Sequence, residues 1–247
     1  MLTIAIANEK GGTGKTTTAV NLAAALGRLG RKVLLVDLDG QAAASRWLGV
    51  EGDTRLAQAI RQGSGLAPLP DAMPGVDLAP GCGELDAVAH ELRPTQGGQL
   101  RRVLSADGAQ GYRYCLIDCP PGLANRLIAN ALLASQAALV PVETSILALD
   151  GLQILLRTLD DLRTGLGHDI ALAGVVACRF DARTRLSADV RAELCRVLPG
   201  KVFDTAIREN VRLREAPASG QSIFEFAPDS HGAQDYAALA KELEKRL

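Results

Sequence analysis

Residues 2–26, LTIAIANEKGGTGKTTTAVNLAAAL, constrain this chain more than any other stretch. Residues 2–7 are an apolar run that reads as a buried strand, and residues 15–29 place Val20, Ala23, Ala24 and Leu26 at helical spacing. Between them lies NEKGGTGKTTT, and a glycine-rich turn leading from a strand directly into a helix is the setting of a phosphate-binding loop. Gly11, Gly12 and Gly14 let the backbone curl around Thr13 so that successive N–H groups face inward. The helix opening near Lys15 adds its positive end. In such a loop Lys15 neutralises the β- and γ-phosphates, Thr16 offers its hydroxyl to Mg²⁺ and Thr17 bonds the α-phosphate.

The same rhythm continues along the chain. Residues 32–37, 112–118, 136–142 and 170–177 read as further strands. Helices are expected over 54–62, 84–92, 97–106, 123–134, 148–165, 184–198 and 232–246. Strands alternating with helices predict an α/β fold: a doubly wound, mostly parallel sheet with helices on both faces, of the P-loop NTPase type. The Gly/Pro-rich stretch 63–83 reads as a connecting loop around one short strand, VDLAP, and the whole of 1–247 as a single domain. Hydrophobic residues make up 47% of the chain and the net charge is -1, which excludes a disordered chain and a uniformly basic nucleic-acid binder. No run of 18 apolar residues suggests a membrane span, and the opening residues lack the basic region of an export signal. A cytoplasmic protein is expected, with the five cysteines (82, 115, 119, 178 and 195) as reduced, buried thiols.

Two acidic segments follow strands. In VDLDGQAAAS, Asp37 and Asp39 flank one residue, so on an extended strand end they would point the same way. They fall where α/β folds place ligands, beyond the carboxyl ends of the strands. In YCLIDCPPGL, Asp118 suits a carboxylate that holds the water shell of Mg²⁺, and Pro120, Pro121 and Gly122 shape a loop able to sense the γ-phosphate. With no strong general base or arginine finger at the loop, intrinsic turnover should be slow and open to stimulation. Farther on, residues 179–214 hold nine basic and five acidic residues, a local excess of +4 that leaves -5 for the remainder. A cationic face on a near-neutral chain suits a polyanionic partner.

K-G-G-T-G-K-T, with Lys10 ahead of the glycines, resembles the deviant Walker A motif of the ParA/MinD ATPases. The resemblance extends through D-x-D at 37–39, Asp181-Ala-Arg-Thr-Arg-Leu-Ser, and Ile207-Arg-Glu-Asn-Val-Arg-Leu-Arg-Glu-Ala-Pro-Ala-Ser-Gly, where ParA partition ATPases carry D-x-R-T-x-L-S and I-P-R-N-V-R-L-S-E-A-P-S-x-G. It implies a chain that hydrolyses ATP with Mg²⁺ and forms an ATP-bound homodimer in which Lys10 crosses to the partner's phosphates. It further implies that Asp39 aligns the attacking water, that Asp37 supports the metal and that Asn210 contacts the nucleotide. Arg183 and Arg212 match arginines used for non-specific DNA binding. The implied role is chromosome or plasmid partition on the nucleoid with a ParB-like stimulating partner. Gly40 replaces the family's proline, which loosens that segment. Arg208-Glu209 replaces Pro-Arg, which alters the base contact and reverses a charge. No helix-turn-helix precedes the loop, so operator-specific repression is not expected.

Three rivals share the nucleotide loop. A MinD-like membrane switch needs a terminal amphipathic helix with bulky apolar residues, and DYAALAKELEKRL lacks Trp or Phe on its apolar face. An iron–sulfur carrier would need Cys82 and Cys119 to meet at a dimer axis. A positioning ATPase for another large cargo would look the same in sequence.

Overall fold

Strand β1 (Leu2–Ile6) lies in a seven-stranded sheet, flanked by β5 (Tyr114–Asp118) and β6 (Ala137–Glu143). The computed structural model describes residues 1–92, 98–106, 109–122, 125–145 and 148–247, with the side chains of 148–150 excepted. The chain leaves β1 through α1 (Lys15–Arg28) to β2 (Val33–Asp37), which lies on the far side of β5. With β3 (Leu69–Met73), β4 (Val76–Ala79) and β7 (Ala171–Cys178) the order is β3-β4-β2-β5-β1-β6-β7. Every pairing is parallel except β3 with β4.

The central strands are apolar without alternation because helices cover both faces. One face buries Val20, Leu22 and Leu26 of α1 and Tyr236, Leu239 and Leu243 of α11 (His231–Arg246). The other is covered by α3 (Arg55–Gln62), α4 (Glu84–Glu91), α5 (Gln99–Ser105), α6 (Arg126–Ala134) and α7 (Ala148–Leu166), with Leu194 of α8 (Arg185–Val197) at its edge. Full burial of one such Leu or Ile contributes ~1.5–3 kcal/mol. The parallel register puts Ile6 and Asp37 each opposite Asp118, so three strands end at one level.

Three expectations need correction. Residues 63–83 do not form a loop around a single strand: Leu69–Met73 pairs antiparallel with Val76–Ala79 across Pro74-Gly75, and Pro70 is tolerated because β3 is an edge strand. The stretch 205–230, left unassigned by periodicity, contains the short α9 (Val211–Glu215) and α10 (Ile223–Phe226), and α2 (Ala43–Trp47) follows the first acidic segment. These elements are too short to display a helical period. The expected helix starts at 97 and 123 fall outside the described residues. Cys195 is exposed, whereas Cys82, Cys115, Cys119 and Cys178 are buried free thiols.

Candidate functional site

The loop after β1 is anchored before it is glycine-rich. Buried Asn8 donates from Nδ2 to the Pro141 carbonyl of β6 at 2.7 Å, and its Oδ1 accepts the Lys10 N–H at 3.2 Å. Gly12 and Gly14 then take φ of +75° and +92°, which L side chains rarely adopt. Gly14 is the N-cap of α1 and supplies no side-chain cap, so the first N–H groups of that helix remain for a ligand. Lys15, 7% exposed, donates from Nζ to the Lys10 carbonyl at 2.9 Å. Burial lowers its pKa, and the charge of Asp118 leads the opposing influences. Gly11, Gly12, Gly14, Lys15, Thr16, Thr17, Asp39 and Pro121 line a cavity of about 260 Å³.

Beneath it the carboxylates have different surroundings. Asp37, fully buried, accepts the Ser45 N–H and Ser45 hydroxyl at 2.7 Å each and the Asp39 N–H at 3.3 Å. Asp39 does not continue the strand: its Oδ1 accepts the Gln41 N–H at 2.9 Å in a turn, and it lines the cavity that Asp37 does not. The two carboxylates thus differ in burial and in partners, the regular strand ending with β2 at Asp37. Asp118 is fully buried, and among the described residues neither carboxylate oxygen has a hydrogen-bond partner. Burial, then the charge of Asp37, pushes its pKa well above the usual carboxylate range, with Thr16 and Lys15 opposing. A buried acceptor without a donor, beside a lysine and a threonine hydroxyl, fits a site for a hydrated Mg²⁺.

A second cleft of about 210 Å³ shares Gly12, Gly14 and Thr17 with the first and extends along Cys178, Ile207, Leu213 and Tyr236. More of its surface is apolar than polar, as a purine requires. Arg179, Arg208, Glu209, Asn210 and Arg214 complete it. Asn210 lies here, with Oδ1 capping α9 through the Arg212 N–H at 2.9 Å. Tyr236 reaches back to α1, its hydroxyl 3.2 Å from Thr18 Oγ1. Sequence reasoning did not identify Asn8, Ser45, Asp235 or Tyr236. Asn8 and Ser45 lie within the quoted phosphate-loop and acidic segments, whereas Asp235 and Tyr236 lie in the distant terminal helix.

Arg183 and Arg212 lie outside both clefts, each with an acidic partner: Arg183 with Asp181 at 2.9 Å and Arg212 with Glu215 at 2.8 Å. Of the nine basic residues in 179–214, Arg179, Arg196, Arg208 and Arg214 also carry ion pairs. Much of the local positive excess is therefore balanced within the fold. Cys82 and Cys119 are both buried, and among the described residues no three His, Cys, Asp or Glu converge on a metal-sized cage. Nothing in that arrangement resembles a cluster shared across a dimer axis.

The family model described as "AAA domain" matches residues 1–172. The chromosome-partitioning ATPase Soj of Thermus thermophilus is 43% identical over 244 residues, covering 99% of this chain and 96% of its own. Apo McdA from Cyanothece superposes with a TM-score of 0.87 at 25% identity, covering 100% of this chain and 99% of that one. The septum site-determining protein MinD of Pyrococcus horikoshii, complexed with Mg-ADP, superposes with a TM-score of 0.73 at 27% identity over 99% and 96%. Identity sustained from the phosphate loop to the terminal helix places the chain in the Soj/ParA group of chromosome-partitioning ATPases, within the ParA/MinD family of P-loop NTPases.

Proposed function

We propose that this chain is an ATP-dependent dimerising switch that hydrolyses ATP slowly, binds DNA without sequence preference and acts in chromosome or plasmid partition. The observation that carries the reading is a pair of adjoining clefts: a glycine-walled phosphate cradle lined by buried Lys15 shares Gly12, Gly14 and Thr17 with a mostly apolar slot. The Soj relative and the nucleotide-bound MinD neighbour support ATP with Mg²⁺ as the occupant.

The residues divide the work as follows. The N–H groups of Gly11 to Thr17 receive the phosphate oxygens. Lys15 exchanges the Lys10 carbonyl for phosphate oxygen, a stronger charge-assisted partner. Thr16 and Asp118, with Asp37 behind them, would hold Mg²⁺, which supplies charge neutralisation on the phosphates. Asp39, at the cavity wall, orients the attacking water for ATP + H₂O to ADP + phosphate. Lys10 adds a second cation from the partner subunit in the dimer. Turnover stays slow until a ParB-like partner accelerates it.

Dimerisation doubles the arginine-bearing face around Arg183 and Arg212, so DNA affinity rises by multivalency as well as charge. The setting is the nucleoid. A membrane-directed variant of the reading fares worse, because Tyr236, Leu239, Ala240 and Leu243 of α11 are already buried against the sheet's helices. Mobility shifts on random duplexes with ATP, ADP and no nucleotide, across a salt range, test the proposal. ATP-dependent, salt-steep binding supports it, and equal binding in all three states refutes the switch.

A further inference from the structure

Arg208 stands where the resembled motif has proline, and its surroundings show how the chain manages without one. The Arg208 main-chain N–H donates to Asp235 Oδ2 at 2.9 Å. The guanidinium donates to the same carboxylate, from Nε at 3.0 Å and from Nη2 to Oδ1 at 2.6 Å. Asp235 is 6% exposed and the Arg208 side chain 39% exposed, so the clamp joins a buried carboxylate to a half-buried guanidinium. Nη2 also points to Gln234 Oε1 at 3.4 Å. The bridge between this segment and the end of β7 does not use the Arg208 N–H. Phe180 N–H donates to the Ile207 carbonyl at 3.0 Å, and Glu209 N–H to the Phe180 carbonyl at 3.0 Å. A proline at 208 would keep both bonds and lock φ covalently. Arg208 keeps its N–H and has the residue immobilised from α11.

The carboxylate that grips this loop sits next to the tyrosine that grips the phosphate helix. Asp235 holds residue 208 of the slot wall, while Tyr236 lines the slot and meets Thr18 of α1. Two consecutive residues of one helix thus fix the spacing between the phosphate cradle and the wall formed by Ile207 to Asn210. A wall whose spacing is fixed in advance loses less ordering entropy when ligand arrives.

We infer that the Arg208–Asp235 clamp is a positioning device that sets how tightly, and for which purine, the slot closes on a nucleotide. This rests on the slot being the base end of the nucleotide site. The clamp touches the loop and not the phosphates, so its loss is felt through the base.

The test is calorimetric titration of ADP and GDP into wild-type protein, Asp235→Ala, Asp235→Asn, the double variant Arg208→Pro with Asp235→Ala, and Lys15→Ala, with thermal melts as a folding control. Asp235→Ala is expected to weaken ADP binding by about tenfold and shrink the difference between ADP and GDP. Asp235→Asn, which keeps shape but not charge, should fall between. The double variant should recover ADP affinity to within about threefold of wild type, since the ring replaces the clamp. Unchanged ADP affinity in Asp235→Ala, or a double variant as weak as Asp235→Ala, overturns the clamp while leaving the nucleotide site intact. If Asp235→Ala does not fold, wild-type affinity and selectivity in Asp235→Asn overturn the clamp in the same way. Wild-type protein that binds no ADP, or Lys15→Ala that binds it equally well, overturns the nucleotide site and the clamp with it.

Discussion

Lys15 Nζ donates to the carbonyl oxygen of Lys10 at 2.9 Å, so the two lysines of the phosphate loop are joined before any phosphate enters. The ammonium is buried, and its pKa is lowered by that burial. A phosphate that displaces the carbonyl gives the charge a full counter-charge in a site already desolvated. Lys15→Ala should therefore weaken ATP and ADP by at least ~100-fold, the cost of truncating one member of a buried charged contact. Calorimetric titration measures this directly, and retained affinity would remove the phosphate-loop assignment.

Asp39 offers a test that separates binding from hydrolysis. It lines the cavity without supporting the fold beyond its own turn. Asp39→Ala should bind ATP and Mg²⁺ normally, lose about 100-fold or more in turnover, and accumulate as an ATP-bound dimer. Size exclusion with ATP and a phosphate-release assay report the two properties independently. A monomer in ATP, or unchanged turnover, contradicts this role for Asp39.

Asp118 is a stability liability when no metal or nucleotide is bound. Its carboxyl is buried with no donor among the described residues, and its pKa is raised, first by burial and then by Asp37. A raised carboxyl binds protons more tightly in the folded than in the unfolded chain. Stability therefore falls as pH climbs from the ordinary carboxylate range toward the raised value, and levels off above it. Asp118→Asn should melt higher than wild type at pH 8 in nucleotide-free buffer, with the gap closing toward pH 4. The same variant should lose Mg²⁺-dependent ATP turnover. A lower melting temperature at pH 8 would mean that the fold depends on the Asp118 charge.

Arg183 offers a gain-of-function test of the DNA-binding reading. Asp181 accepts both the Arg183 N–H and its guanidinium, and that arginine holds the Asp181 pKa down at about 2. Incoming DNA phosphate must compete with this carboxylate. Asp181→Asn keeps the turn and removes the competitor, so ATP-dependent DNA binding should strengthen several-fold and its salt dependence steepen by roughly one unit per released contact. Arg183→Glu with Arg212→Glu should abolish DNA binding while the ATP dimer persists. If Asp181→Asn binds DNA no better than wild type, Arg183 is not a phosphate contact.

The parts of this protein written in its sequence are those encoded by neighbours. The phosphate loop, the strands leading to Asp37 and Asp118 and the long helices all declare themselves through spacing within about a dozen residues, because a glycine-rich turn and an apolar period are local properties. The hairpin from Leu69 to Ala79 was obscured by its own prolines and glycine, which an edge strand tolerates and a central strand does not. Only the tertiary structure decided how the carboxylates differ. Ser45 satisfies Asp37 from a helix formed after the strand has ended, while none of the described residues satisfies Asp118. It also decided that much of the basic excess is balanced by acids packed beside it, and that Arg208 answers to Asp235 and Thr18 to Tyr236. Those pairs join segments separated by 27 and 218 residues, and no periodicity in a chain records a contact made only when the terminal helix has packed onto the sheet's covering layer.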